Sequence, residues 1–415
     1  MPPLRVGFVG AGFIAKFQLR AIAQIRNMEV VGITSRTRAH AEETAALARE
    51  LGVGEARVYD SVREMAPHVD VIAIYAPNYL RVAIMEEIVE AVQAGAVLKG
   101  VICEKPLGRN VAEARRMVEL ANQVGLPTAY FENQLFMKPV RAQLAQLAPQ
   151  IATMGPPLLV RSAEEHGGPH EAWFWDPIRQ GGGVLSDMGC HSIAVGWYAL
   201  TPPGKSPTFL QPVSVSAEVA LLKWGLPNWR QKLLERFGVD YGKTPAEDFT
   251  TGVITYRNPV TGQRVKAQFT NSWMFEKQGL RLLMDGMGPG YAFEVNTLAS
   301  STQVFIGDAA AEAIADAESA LEKATASRGL LTVHHNEADL YGYPDENADA
   351  VAAFQTGRSA FLDWNYGLQI TRLVMAAYLA AERKQTIDLT DPAIQQELES
   401  YVPLIQQGRG AEVLF

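Results

Sequence analysis

Along the N-terminal part of the chain, apolar positions follow two rhythms. Short apolar runs at Leu4–Val9, Met28–Ile33, Val71–Ile74, Gly100–Cys103 and Pro127–Tyr130 are β-rich and predict strands. Between several of them lie longer stretches, Thr37–Leu51, Tyr79–Ala94 and Val111–Val124. There Ala, Leu, Val and Met recur at helical spacing, with charges on the opposite face. Alternation of this kind predicts βαβ units stacked into a doubly wound parallel sheet. After Phe131 the rhythm changes. A helical stretch near Met137–Ala148 and a strand near Leu158–Ala163 lead into a polar, Gly- and Trp-rich loop at Glu164–Gln180, and a helix restarts at Ser186. The runs Val213–Leu222, Phe249–Tyr256, Arg264–Asn271 and Leu280–Asp285 then follow one another without helices of crossover length, which predicts an open, mainly antiparallel sheet. Ala309–Ala326 and Ile370–Arg383 read as further helices, with His334, His335 and Asn336 in a loop between them. The fold class expected is α/β: a parallel-sheet domain over residues 1–131 and an α+β domain over 132–415.

Composition agrees with two folded domains. A chain of 415 residues exceeds the size at which one core stops growing, and its 48% hydrophobic and 20% charged residues are globular proportions. The net charge of -8, without a dense run of Lys and Arg, argues against nucleic acid as a partner. Cys103 and Cys190 have no C-x-x-C spacing, so neither a disulfide framework nor a cysteine zinc site is expected, and a reducing, cytoplasmic setting is. The first strand runs straight into a glycine motif rather than a leader pattern. No stretch approaches the ~20 apolar residues that span a bilayer, so no membrane partner is expected. His166 and His170 stand four apart, but Gly167, Gly168 and Pro169 break the helix that would align them, and no metal is expected.

The chemistry begins at Gly10-Ala11-Gly12-Phe13-Ile14-Ala15, a G-x-G-x-x-A between an apolar strand and a helix. Gly10 permits the tight turn, Gly12 lets backbone approach a pyrophosphate, and Ala15 lets the helix pack on the strand. Amides of Phe13 and Ile14 at the helix start face the phosphates. At the end of the second strand, where Asp or Glu holds a ribose 2′-hydroxyl, the chain offers Ser35, Arg36 and Arg38 instead. Those donors suit a 2′-phosphate, so the cofactor expected is NAD(P), with NADP slightly favoured over NAD. A solvated helix start, or an arginine stacked on adenine, fits the same residues.

Pro77-Asn78 closes the third predicted strand and Glu104-Lys105-Pro106 the next, both at the carboxyl edge where open α/β sheets bind ligands. Lys105 beside a cationic nicotinamide has a reason for a lowered pKa and can hydrogen-bond the oxygen whose carbon loses hydride. Farther on, Gly182-Gly183-Val184-Leu185-Ser186-Asp187-Met188-Gly189-Cys190-His191 places Asp187 and His191 four apart on one helical face. Asp187 would orient the imidazole, and His191 would accept an alcohol proton. A core histidine satisfied by a carboxylate is the competing reading.

These motifs, in this order, resemble those of the Gfo/Idh/MocA oxidoreductases, the glucose–fructose oxidoreductase and inositol dehydrogenase family. The resemblance implies that Lys105, Asp187 and His191 meet at the nicotinamide, that the Lys105–Pro106 bond is cis, and that the second sheet mediates a homodimer or homotetramer. It also implies hydride transfer between nicotinamide and a secondary hydroxyl or carbonyl of a sugar, sugar derivative or cyclitol. Two alternatives share the residues: glycoside cleavage through transient oxidation and elimination, and a nucleotide-bound regulator without catalysis. The chain departs from the family after Pro77-Asn78, where Tyr79-Leu80-Arg81 stands in place of an early histidine. In the loop before Gly181, Trp173 and Trp175 can stack on a sugar ring and His166 and His170 can reach hydroxyls, or the same residues pack the loop against its domain.

Overall fold

The five apolar runs of the N-terminal part form strands in a computed structural model that describes residues 2–276, 279–299 and 340–415, with the backbone of two short strands at 303–306 and 329–332. The helix expected at Ala309–Ala326, and His334, His335 and Asn336, lie outside the described residues. The first sheet comprises β1 (Leu4–Val9), β2 (Met28–Thr34), β3 (Arg57–Tyr59), β4 (Val71–Ile74), β5 (Gly100–Glu104) and β6 (Thr128–Phe131). All pairings are parallel, in the order β3-β2-β1-β4-β5-β6. Strand β3 escaped the sequence pattern because it is three residues long, at the sheet edge and not fully buried. β4 and β5, by contrast, are buried at every position, as unbroken apolar runs require in a sheet covered on both faces. The chain winds outward on both sides of β1, so the crevice for a ligand opens beyond the carboxyl ends of β1 and β4.

The second sheet is mixed, in the order β12-β11-β7-β10-β9-β8-β15. Its strands are β7 (Leu159–Glu165), β8 (Gln211–Ala220), β9 (Phe249–Arg257), β10 (Arg264–Ser272), β11 (Arg281–Gly288), β12 (Tyr291–Asn296) and β15 (Ile387–Asp388), while β13 (Gln303–Ile306) and β14 (Gly329–Thr332) pair separately. Only β7 and β10 run parallel; the other pairings are antiparallel, as expected. Burial alternates along β9 and β11, and helices Cys190–Leu200 and Trp364–Arg383 pack across the strands. One expectation fails between β8 and β9. Helix Pro227–Phe237 stands there, and since Leu233 is its one buried residue, its apolar stripe was too thin to read.

Within the loop expected between Ala326 and Ile370 stands a helix, Tyr343–Phe354, entered through Gly342 at φ +85°. Ala350, Val351 and Phe354 of this helix share a core with Val6, Phe8 and Leu19. A late element thus covers the first sheet and delivers Glu346 and Asn347 behind its carboxyl edge. Among the described residues, no helix is long and apolar enough to cross a membrane.

Candidate active site

Gly10 leaves β1 with φ +105°, and a Cβ there would stand 2.7 Å from the backbone nitrogen of Ala76. Only glycine fits so close to the end of β4. Gly12 is different: space around it is open, and it precedes helix Phe13–Ile22 without a side-chain cap. The helix N-terminus therefore keeps unsatisfied amides beside an open cradle, an arrangement that fits a dinucleotide pyrophosphate. Ala15 is fully buried against the sheet. Ser35 is half-buried, Arg36 is exposed, and Arg38 pairs with Glu42 at 3.0 Å and Asp60 at 2.5 Å on the exposed rim.

Strands β4, β5 and β6 bring Asn78, Lys105 and Glu132 to one edge. Asn78 is buried and donates to the Gln180 carbonyl at 2.6 Å, tying the first sheet to the turn that precedes Gly181. Arg81, whose role the sequence left open, is a buried brace. Its guanidinium donates to the carbonyls of Ala76, Glu104, Lys105 and Pro106, and so joins the ends of β4 and β5 around the cis Lys105–Pro106 bond. Glu104 turns inward, accepting from Gln18 at 3.0 Å, and Gln18 also donates to Glu346 at 3.1 Å. Burial and the two facing carboxyls push Glu346 well above the usual carboxylate range.

The turn Leu185–Gly189 is a π-turn, and it carries Asp187 to the lysine instead of the imidazole. Lys105 Nζ donates to the Asp187 carbonyl at 2.9 Å and to its Oδ1 at 3.3 Å. His191 Nδ1 lies 2.6 Å from Glu132 Oε1, a residue that sequence reasoning missed. The expected Asp187–imidazole pairing is therefore corrected: Asp187 orients Lys105, and Glu132 orients His191. The one signal available was position, because Glu132 follows β6 just as Lys105 follows β5.

The protein's own groups raise the lysine, and the lowering expected beside a cationic nicotinamide would have to act against them. Burial acts to lower Lys105, but Asp187, Glu164 and Glu104 outweigh it and hold the ammonium well above its ordinary value. His191 is raised too, burial being overcome by Glu132 and Glu164. Glu164, at the end of β7, is buried and accepts from Gln134 at 2.9 Å. Burial pushes its carboxyl up, while His191 and Lys105 pull it back. The centre is thus an ammonium and an imidazole among four buried carboxyl groups, those of Glu104, Glu132, Glu164 and Asp187. Cys103 is buried, and burial pushes its thiol up to about 11; Cys190 is buried and raised likewise, so both are inert packing residues.

The loop after β7 divides the residues expected to contact substrate. Trp175 is 1% exposed, donates its indole N–H to the Pro169 carbonyl, and packs among Trp224, Tyr241 and Trp273, so its expected stacking on a sugar is corrected to a core role. His166 Nδ1 accepts from the Gly168 amide at 2.9 Å and shapes the loop. Trp173 remains partly exposed, stacked on Phe174 at 3.8 Å and meeting Tyr79 in an edge-type contact at 6.4 Å. His170 lies 4.9 Å from the ring of Phe13 in the glycine motif, so this loop reaches across to the helix N-terminus. Among the described residues, no group of His, Cys, Asp and Glu is placed to hold a metal ion.

Comparison with known proteins accords with this geometry. Residues 4–130 match the oxidoreductase family with an NAD-binding Rossmann fold, and residues 150–287 match the GFO/IDH/MocA C-terminal domain. D-glucoside 3-dehydrogenase of Escherichia coli is 28% identical over 48% of this chain and 55% of its own length. 1,5-Anhydro-D-fructose reductase of Ensifer adhaerens is 30% identical over 45% of this chain and 54% of its own. The chain thus spans about half the length of these curated relatives. Over nearly the whole chain, the fold is that of GenD2 from gentamicin A biosynthesis, solved with NAD (TM-score 0.73, 19% identity, 94% of this chain and 97% of that one). Myo-inositol 2-dehydrogenase of Lactobacillus plantarum shares it too (TM-score 0.65, 17% identity, 93% and 99%). With its two domains matched in order, this chain belongs to the Gfo/Idh/MocA oxidoreductase family, whose first domain is an NAD-binding Rossmann fold.

Proposed function

We propose that this protein interconverts a secondary hydroxyl and a carbonyl on a sugar or cyclitol ring, with NAD(P) as the hydride partner. The observation that carries the reading is the pair of side-chain couples at one edge: Lys105 with Asp187, and His191 with Glu132. When bound, the nicotinamide accepts or returns the hydride. The chain's own groups handle the oxygen and its proton. Asp187 occupies two of the three Lys105 N–H donors, leaving one to hold the substrate oxygen. Glu132 occupies Nδ1 of His191, leaving Nε2 to take the hydroxyl proton as the carbon–hydrogen bond gives up hydride. Oxidation of one alcohol thus yields one carbonyl, one reduced nicotinamide and one proton, which leaves through the imidazole.

Several curated relatives are named for position 3 of a sugar: the D-glucoside 3-dehydrogenase, a glucose-6-phosphate 3-dehydrogenase of Bacillus subtilis, and a dTDP-sugar 3-reductase of Streptomyces violaceoruber. A ring hydroxyl flanked by two others is accordingly the first position to test. Ser35 and Arg36 at the end of β2 favour NADP over NAD. The deciding experiment incubates purified protein with each nucleotide and a panel of glucosides, sugar phosphates and inositols while following nicotinamide absorbance. Reduction with at least one ring alcohol is expected. Cleavage of a glycoside without net reduction would instead favour the transient-oxidation alternative.

A further inference from the structure

Glu247 makes no hydrogen bond to Lys105 or His191, yet it is completely buried and ringed by donors. Its Oε1 accepts from the Gly183 amide at 2.9 Å, the Leu185 amide at 3.0 Å and the Tyr378 hydroxyl at 2.6 Å, and its Oε2 accepts from Gly183 at 3.0 Å. The Tyr378 oxygen in turn accepts from the amides of Gly183 and Ser186, both at 3.2 Å. Gly183 has no room for a side chain, since a Cβ would stand 2.2 Å from the Glu247 carbonyl. From this fixed point the chain enters the turn that carries Asp187, whose own amide bonds back to the Gly183 carbonyl at 3.1 Å.

We propose that Glu247 and Tyr378 are positioning residues: the ionised carboxylate and the phenol together hold Gly183–Ser186, and this hold sets where Asp187 meets Lys105. The chemistry of the donor set argues for the ionised form. Every recorded partner of the carboxyl is a donor, and with two amides on its lone pairs the Tyr378 oxygen turns its own proton to Glu247. A proton on Glu247 would face donors on both oxygens and break part of the ring. The groups facing Glu247 are Tyr378 from helix Trp364–Arg383, the amides of the glycine turn, and Tyr241 and Asp248 from its own loop; Asp248 is itself turned to the amides of Leu222 and Trp224, beside Lys223. Burial pushes the Glu247 carboxyl up to about 7 against the bonds that favour its charge, so the hold changes within the physiological range. Its effect on turnover rests on the oxidoreductase reading; its effect on the turn does not.

Two measurements on the full-length protein test the proposal, with Glu247→Gln and Tyr378→Phe as variants. In hydrogen exchange read by mass spectrometry, peptides covering the glycine turn should lose protection as pH falls through about 7 after correction for intrinsic rates; they should be unprotected at all pH values in Glu247→Gln and lose protection at higher pH than the wild type in Tyr378→Phe, while β9 stays protected. In steady-state kinetics, Tyr378→Phe removes a bond to the ionised form, so it should move the acidic limb of kcat to higher pH and lower kcat about 10-fold, the loss expected for an outer-shell partner. Turn peptides whose protection ignores both pH and substitution would overturn the proposal, as would an unmoved limb in an active Tyr378→Phe variant. If Glu247→Gln does not fold, Tyr378→Phe alone decides. pH-dependent protection in a protein that reduces no nucleotide would support the hold on the turn and refute the oxidoreductase reading instead.

Discussion

His191 Nδ1 stands 2.6 Å from Glu132 Oε1: Glu132 directly follows β6 of the first sheet, and His191 lies fifty-nine positions on, in the helix Cys190–Leu200 that packs on the second sheet. The carboxylate side chain is fully buried and the imidazole 6% exposed, so the pair is insulated from solvent. Such a contact fixes the ring tautomer and raises the basicity of the remaining nitrogen.

Glu132→Gln should therefore lower the His191 pKa, because burial would then act with less carboxylate charge to oppose it. In the wild type the raised imidazole contributes folding stability that is present in full below ~6.5, its ordinary value, and is lost as pH rises through the folded pKa. The variant should show a weaker fall in stability over that interval. Its acidic limb in kcat/KM should move down in pH, with a 10- to 100-fold loss at the optimum. Denaturant midpoints and pH–rate profiles measure the two effects, and an unmoved limb would remove Glu132 from the mechanism.

Lys105→Ala and His191→Ala should each reduce turnover by at least ~100-fold if the ammonium and imidazole handle the substrate oxygen and its proton. Nucleotide affinity, followed by fluorescence titration, should change far less, since the phosphate cradle is built from Gly12 and the helix start. Unchanged turnover in either variant would exclude that residue from the chemistry.

Arg81→Met should destabilise the protein. The guanidinium is 4% exposed and serves carbonyls at the ends of both β4 and β5; an apolar side chain would leave them buried without donors. Each buried acceptor left unsatisfied costs on the order of 1–3 kcal/mol, and relaxation or water entry will recover part of that sum. A loss of about 3 kcal/mol is expected from denaturant unfolding, together with weaker activity as the Lys105 loop loosens.

Arg81 also illustrates what the sequence left hidden. Strands β1, β4 and β5 were legible because burial on both faces demands continuous apolar runs, and the glycine motif was legible because its two glycines answer two different steric needs. Lys105 and His191 followed from their motif positions. Their partners did not, because Glu132 and Arg81 meet them through folding, across separations that no local pattern encodes. α-Helical spacing pairs Asp187 with His191, and the π-turn gives it to Lys105 instead. Trp175 looked like a ligand platform because its polar neighbours suggested an exposed loop, whereas the ring is the centre of an aromatic core formed with residues some fifty and a hundred positions away, Trp224 and Trp273.

The two glycines of the motif should separate when each is changed to alanine. At Gly10 the backbone has φ +105° and a Cβ would press on the Ala76 nitrogen at 2.7 Å, so Gly10→Ala strains the junction of β1 and β4 and should lower stability even without nucleotide. At Gly12 the φ of -84° suits any residue, and nothing lies within 4 Å of a new Cβ. Gly12→Ala should therefore fold with near-normal stability. Its methyl group would occupy the open cradle where the pyrophosphate must approach backbone amides, so nucleotide affinity should fall by at least ~10-fold, a loss of ~1.4 kcal/mol. Thermal unfolding with and without NAD or NADP reads both effects: Gly10→Ala should start lower, and Gly12→Ala should start level with the wild type but fail to rise when nucleotide is added. A Gly12→Ala variant stabilised by nucleotide as strongly as the wild type would show that the dinucleotide does not lie over this turn.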